Sequence, residues 1–228
     1  MPEVPRVIIR PDEVTYDLTA QEHVTITVPS GSQWTSGLHW HETHTEYLKL
    51  IKGKIKVRLG HEFMEIEASG DHQPEVKVPR YEWHEWQRAT PDGDDVVVQE
   101  HTDPADGEKA LFFWNLNGVI QNSGKISEGS IISRSPGGLQ DVMARAWVTL
   151  NLFTIFYELD NFPVFVNFGR VLGGVGGLQA LDWLVSKAVL LVAAWVGWLV
   201  NARAVRAKYT PSAEYALYME RKKGNKGE

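Results

Sequence analysis

A chain of 228 residues with 43% hydrophobic and 23% charged side chains can bury a real core, as one large domain or one domain with an appendage. Its formal charge of −6 speaks against a protein built mainly to bind nucleic acid, because no basic excess is left for phosphates. It has no cysteine, which excludes a disulfide scaffold, thiolate metal ligation and a cysteine nucleophile.

The first dozen residues lack the apolar core of a cleaved secretory signal, so a cytoplasmic setting is expected. From about residue 13 to 102 the chain reads as strands. Residues 14–18 and 23–28 alternate with period two. Leu48, Leu50, Ile55, Val57 and Leu59 alternate with Lys49, Lys52, Lys54, Lys56 and Arg58 around Gly53. That pattern predicts a hairpin with one face inside and one cationic face in water. Residues 76–78 and 96–98 predict shorter strands, and Gly60, Gly70, Pro74, Pro91 and Gly93 punctuate the series. Many short strands with regular turns point to a sandwich or barrel.

Residues 106–119 predict a short helix, with Leu111, Phe112, Trp114 and Leu116 sharing a side. Residues 123–138 are polar and rich in Gly and Ser, as in a linker. An apolar helix is expected over 139–159, broken at Asp160-Asn161-Phe162-Pro163. A flexible loop follows at residues 173–177, then a second helix over about 178–208. The expected organisation is therefore a barrel with a short helix at its end over 1–122, a linker over 123–138, and an apolar helical hairpin with a basic tail over 139–228. Residues 221–226 are expected to be a disordered, solvated tail.

The chemistry concentrates in Gly37-Leu38-His39-Trp40-His41-Glu42-Thr43-His44-Thr45-Glu46. On a strand, residues two apart project to one face, so His39 and His41 point together. Glu46 has the wrong parity for one continuous strand, and Glu42 to Thr45 supply a turn that resets it. Glu46 then falls in phase with Leu48 and Leu50. A carboxylate in phase with core leucines is costly to bury unpaired, and a coordinated cation removes that cost. A fourth ligand comes from the proline-led segment Pro79-Arg80-Tyr81-Glu82-Trp83-His84. Imidazole and carboxylate ligands suit Fe, Mn, Zn, Ni or Cu, and ligand type alone does not choose among them. His44 reads as a turn residue, His101 as a satisfied or exposed histidine, and His23, His61 and His72 as surface residues. Trp40, Tyr81, Trp83 and Trp86 are candidates to line a pocket. Glu42, Glu82, Glu85 and Tyr81 are candidate acids or bases.

Gly37, His39-x-His41, Glu46 and Gly53 resemble the first motif of the cupin superfamily, and Pro79-x-x-x-x-His84 resembles the second. Tyr81 stands where that family usually has Gly, and Arg88 where it often has Asn. The resemblance implies a mainly β fold, a cupin jelly-roll barrel followed here by C-terminal α-helices. It implies a divalent metal held by His39, His41, Glu46 and His84, and a homodimer. Thr102-Asp103-Pro104-x-Asp106-Gly107 and the apolar C-terminal region also look like small fungal cupins of secondary metabolism.

Residues 188–200 carry no polar side chain but span only ~20 Å as a helix, short of a ~30 Å hydrocarbon core. Extension back to Leu178 takes in Gln179, Asp182, Ser186 and Lys187. Two readings follow: residues 139–200 form a hairpin in or on a membrane with the barrel facing the cytosol, or the helices pack on the barrel or a second subunit. The leading function is a metal-dependent oxygenase or oxidase, or an isomerase or cyclase, acting on a small apolar metabolite. The alternatives are a non-catalytic small-molecule-binding module with an anchoring or oligomerising tail, and a metal-free catalyst using the histidines as acid and base.

Overall fold

A computed structural model describes residues 3–123, 137–168 and 178–224. The described residues form eleven strands: β1 (Val7–Arg10), β2 (Val14–Asp17), β3 (Val24–Val28), β4 (His39–Trp40), β5 (Thr45–Lys52), β6 (Lys54–Leu59), β7 (Glu62–Glu67), β8 (Glu75–Val78), β9 (His84–Arg88), β10 (Val96–Asp103) and β11 (Phe162–Pro163). The described helices are α1 (Glu108–Gln121), α2 (Gly137–Glu158), α3 (Gln179–Leu199) and α4 (Ser212–Gly224). The expected linker and the glycine loop at residues 173–177 lie outside the described residues, apart from the linker's ends.

The strands form two antiparallel sheets, ordered β1-β2-β3-β10-β5-β8 and β11-β4-β9-β6-β7. Their inner faces follow from the period-two pattern. In β5, Glu46, Leu48 and Leu50 are buried while Tyr47, Lys49 and Ile51 are not. In β3, Val24, Ile26 and Val28 go inside, and Val96, Val98 and Glu100 of β10 pair beside them.

The expected hairpin around Gly53 is not formed. β5 pairs with β10 and β8, whereas β6 pairs with β7 and β9, so the chain crosses from one sheet to the other at this glycine. Gly53 has φ 85°, and a Cβ there would lie 2.9 Å from Val96 Cγ2, so both the conformation and the space call for glycine. Alternation looks the same whether consecutive strands pair or cross. From β3 to β10 the chain changes sheet at every step except β6 to β7, which is the strand order of a jelly roll.

Two compact units interleave along the sequence instead of following one another. One comprises Arg6–Ala110 with Asp160–Ala188, and the other Met1–Pro5, Leu111–Leu159 and Val189–Glu228. The reason the first reaches past residue 122 is β11, whose Phe162 and Pro163 pair with Trp40 and His39. In the second unit, Asn115 is fully buried, donating to Thr210 Oγ1 at 3.0 Å and accepting from the Arg206 amide at 2.9 Å. Gly118 lies against the Tyr209 ring, which leaves no room for a Cβ. The tail expected to be disordered is helical as far as Gly224 within α4, and Lys222 pairs with Glu158 at 2.5 Å. Asn225 and Lys226 lie outside the described residues.

Among the described helices, α3 alone is long and apolar enough to cross a membrane by length and composition. Its polarity is inverted. Asp182, Ser186, Leu190, Ala193 and Gly197 are buried, while Leu181, Leu184, Leu191, Val192, Trp195, Trp198 and Leu199 are exposed. At 3.6 residues per turn the exposed set occupies about a third of the circumference, opposite the buried set. Asp182 accepts the Phe168 amide at 2.7 Å, which explains why it faces inward.

Candidate metal centre

His39 lies on β4, His41 just beyond it, Glu46 on β5 and His84 on β9, directly across from His39. Ligand atoms from the four residues lie within 4.8 Å of one another, and all four side chains are buried. Each imidazole is oriented through its Nδ1. His39 Nδ1 lies 2.7 Å from the Gly37 carbonyl, His84 Nδ1 lies 3.2 Å from that of Glu82, and His41 Nδ1 meets that of Asp160. A carbonyl only accepts, so each Nδ1 carries the hydrogen and each neutral ring keeps its lone pair on Nε2.

Those lone pairs converge on Glu46. Its Oε2 lies 2.6 Å from His84 Nε2 and 3.5 Å from His41 Nε2, and both nitrogens are buried without a hydrogen-bond partner. Burial holds His39 and His41 well below the usual imidazole range, with neighbouring positive groups adding to it, and pushes His84 down to about 4. The rings are therefore neutral near pH 7. Acceptor faces acceptor, which is unfavourable until a cation lies between them. The residues fit a metal ion, and the carbonyl bonds behind the rings are the support that metal-bound histidines use.

Two ligands from one sheet face a glutamate from the other inside an eight-strand jelly roll, in the spacing read from the sequence. The barrel is a jelly roll, the fold that the cupin resemblance implies. No family model matches the chain, and no curated protein is similar to it. Solved structures overlap it in part. The capsular polysaccharide assembling protein CapF of Staphylococcus aureus is 22% identical over 42% of this chain, with a TM-score of 0.34. The chain spans only 29% of the CapF chain. KdgF from Halomonas sp. is 16% identical over 42% of this chain and 83% of its own, and a predicted oxalate decarboxylase from Thermotoga maritima is 16% identical over 44% and 92%, each with a TM-score of 0.34. Overlap this slight adds nothing to what the jelly-roll strand order shows by itself. It gives no support to the likeness to fungal proteins of secondary metabolism.

The turn that carries the candidate ligands is shaped from far along the chain. Asp160, with φ 51°, turns its carboxylate onto residues 42–44. Its Oδ1 accepts the Glu42 amide at 2.8 Å, and its Oδ2 accepts the Thr43 and His44 amides at 3.0 Å each. The same Oδ2 lies 2.7 Å from His44 Nδ1, and His44 Nε2 lies 3.3 Å from Asp106. His44 is thus a buried clamp and not a simple turn residue. Burial opposes its charge, but the two carboxylates outweigh burial and raise it to about 9. Burial would raise Asp160, yet its bonds to His44 and to the Glu42 and Thr43 amides bring it down to about 2.

A second group missed by sequence reasoning is Lys109, in the first turn of α1. Its ammonium contacts Glu46 Oε1 and lies 2.9 Å from Glu100 Oε2. Trp86 Nε1 donates to the other oxygen of Glu100 at 2.8 Å. Burial pulls Lys109 down to about 7 and pushes Glu100 up to about 7, the Trp86 bond working against the latter. A small hollow lined by Val24, Glu100, Thr102, Gly107 and Lys109 opens beside this pair.

The pocket-lining candidates separate by strand parity. Trp86 shares the inward face of β9 with His84. Trp40 and Trp83 point the other way, where Trp40 stacks with Trp83, Phe162 and Trp183. Tyr81 is 56% exposed. Its backbone serves instead: with φ 67° it takes the left-handed conformation that glycine favours, and its amide donates to the His41 carbonyl at 2.6 Å. Arg88 is buried and donates to the carbonyls of Val28 and Asp94 at 2.8 and 3.0 Å. Of the acid or base candidates, Glu42 pairs with Lys187 at 3.0 Å and Glu85 with Arg58 at 3.7 Å, while Glu82 offers its carbonyl to His84. His101 stacks on Tyr47 and faces outward; His61 and His72 are exposed, and His23 is partly so.

Proposed function

We propose that this chain is a metal-dependent enzyme acting on a small, largely apolar metabolite, with one divalent ion held by His39, His41, Glu46 and His84. The observation that carries the reading is the convergence of buried, partnerless Nε2 atoms on the Glu46 carboxylate. When bound, the ion would supply Lewis-acid or redox chemistry at its remaining positions. The chain's own residues bind and orient it: carbonyls of Gly37, Asp160 and Glu82 fix the three rings, and Trp86 helps keep water from the inner face. A redox-active ion would make the reaction an oxidation or oxygenation, and a redox-inert one an isomerisation or cyclisation.

We further propose that α3 lies along a membrane surface, with the barrel on the cytosolic side. Its exposed stripe of Leu, Val and Trp supports this reading. Its first half is held to the barrel by Trp183 stacked at 6.3 Å on Trp40 and by the Lys187–Glu42 pair. Crossing the bilayer would break both contacts, so lying on it fits better than spanning it.

Elemental analysis of purified protein tests the metal reading. About one transition-metal or zinc ion per chain is expected, falling close to none in E46Q and H84A. Protein that carries none, and takes up none after chelation and reloading, would overturn it.

A further inference from the structure

Glu46 is approached from two sides. His41 and His84 face its Oε2, while the Lys109 ammonium sits on its Oε1. A divalent ion seated among the four ligands would therefore bring a second positive charge against Lys109, a few ångströms away in a buried setting where screening by water is weak. Lys109 has somewhere else to go, since Glu100 Oε2 is already 2.9 Å from its Nζ. Glu100 is itself anchored by the Trp86 indole and is only 4% exposed. The three groups form a row: the Glu46 carboxylate, an ammonium on a long side chain, and a second carboxylate held by an indole.

We infer that Lys109 is a resident counter-ion of the metal site, neutralising Glu46 in the metal-free barrel and yielding it to the incoming ion by withdrawing onto Glu100. This rests on the metal reading above. It assigns α1 a part in setting the site's affinity: Lys109 keeps the metal-free barrel from burying an uncompensated carboxylate, and it makes the site bind metal less tightly than its four ligands alone would. The role is to govern binding, and Lys109 is not placed among the ligands.

Calorimetric titration of chelator-treated protein with Zn2+, and with Co2+ followed by its absorption spectrum, tests this without reference to turnover. K109M and K109Q remove the charge and should bind each ion at least tenfold more tightly than wild type. K109R keeps the charge and should stay within about threefold. E100Q takes away the second carboxylate and should weaken binding several-fold. In K109M/E100Q that weakening should largely disappear relative to K109M, because it acts through Lys109. Equal or weaker binding by both neutral variants would overturn the inference, as would an E100Q effect of the same size in both backgrounds. If wild type and the neutral variants all fail to bind while circular dichroism shows them folded, the metal reading itself fails. Metal bound equally by wild type and K109M leaves that reading standing and removes only the role given to Lys109. Two neutral replacements are used so that misfolding of one leaves the other to decide.

Discussion

β5 and α3 solve the same problem in opposite ways. Along β5 the leucines turn inward and the lysines outward, and the one inward carboxylate, Glu46, is met by three imidazoles and an ammonium. Along α3 the Asp and Ser turn inward, and the leucines, valines and tryptophans turn outward. The strand is built for water on its outer side. The helix leaves its apolar side outward, the stripe that the proposed membrane surface would cover. Burial alone therefore does not report polarity in this chain; what lies outside each element does.

The largest break in this comparison should come from inside the barrel. Asp160→Ala removes the acceptor of three backbone amides and leaves His44 charged and buried beside Asp106 alone. We expect a loss of about 3 kcal/mol or more in chemical denaturation, together with weaker metal binding. A change below about 0.5 kcal/mol would mean that the turn holds without its carboxylate.

On the outer face of α3 the outcome should be reversed. Trp195→Glu with Trp198→Glu touches residues that are 62% and 69% exposed, so stability should move by no more than about 0.5 kcal/mol. Co-sedimentation with phosphatidylcholine–phosphatidylserine vesicles should fall at least tenfold. Wild-type protein that ignores vesicles would remove the membrane from the account of α3 and leave a protein partner to cover it.

The finest distinction is in pH. His44 is raised to about 9 in the folded state, so its contribution is fully present below its unfolded value near 6.5 and is lost as pH rises through 9. Asp160, lowered to about 2, contributes above its unfolded value near 3.8 and loses that contribution as pH falls toward 2. The difference in melting temperature between wild type and His44→Gln should be largest between pH 4 and 6.5 and close to nil above 9. A difference that is flat across this range would show that His44 is held neutral.

Parts of the site were legible in the sequence because they are local. The spacing of His39 and His41 and the phase of Glu46 with Leu48 and Leu50 need only strand parity, and they bring three of the four clustered side chains together. Asp160 was not legible, since its bond to His41 joins residues 119 positions apart and nothing near Asp160 resembles a ligand turn. Lys109 was hidden for a different reason: a lysine in the first turn of a helix usually ends in solvent. Trp40 and Trp83 pack away from the histidines, because the parity that places His39 and His84 inward places them outward. The crossing at Gly53 could not be told from a hairpin, because both give the same alternation. The inner face of α3 was obscured because most of its residues are apolar and only Asp182 and Ser186 mark the inner side.

The pairing of β11 with β4 has a consequence for how the protein is made. By the time a ribosome has added the first helix, all four ligands, Lys109 and Glu100 have been synthesised. The carboxylate that shapes the turn between His41 and Glu46 has not, and neither has the strand that covers His39. The nascent barrel must wait with its ligand loop unfinished while α2 is added, since contacts of such long sequence separation form late. Metal capture should accordingly follow release of the chain past Pro163, and a fragment ending at residue 122 should carry every ligand yet hold the ion poorly.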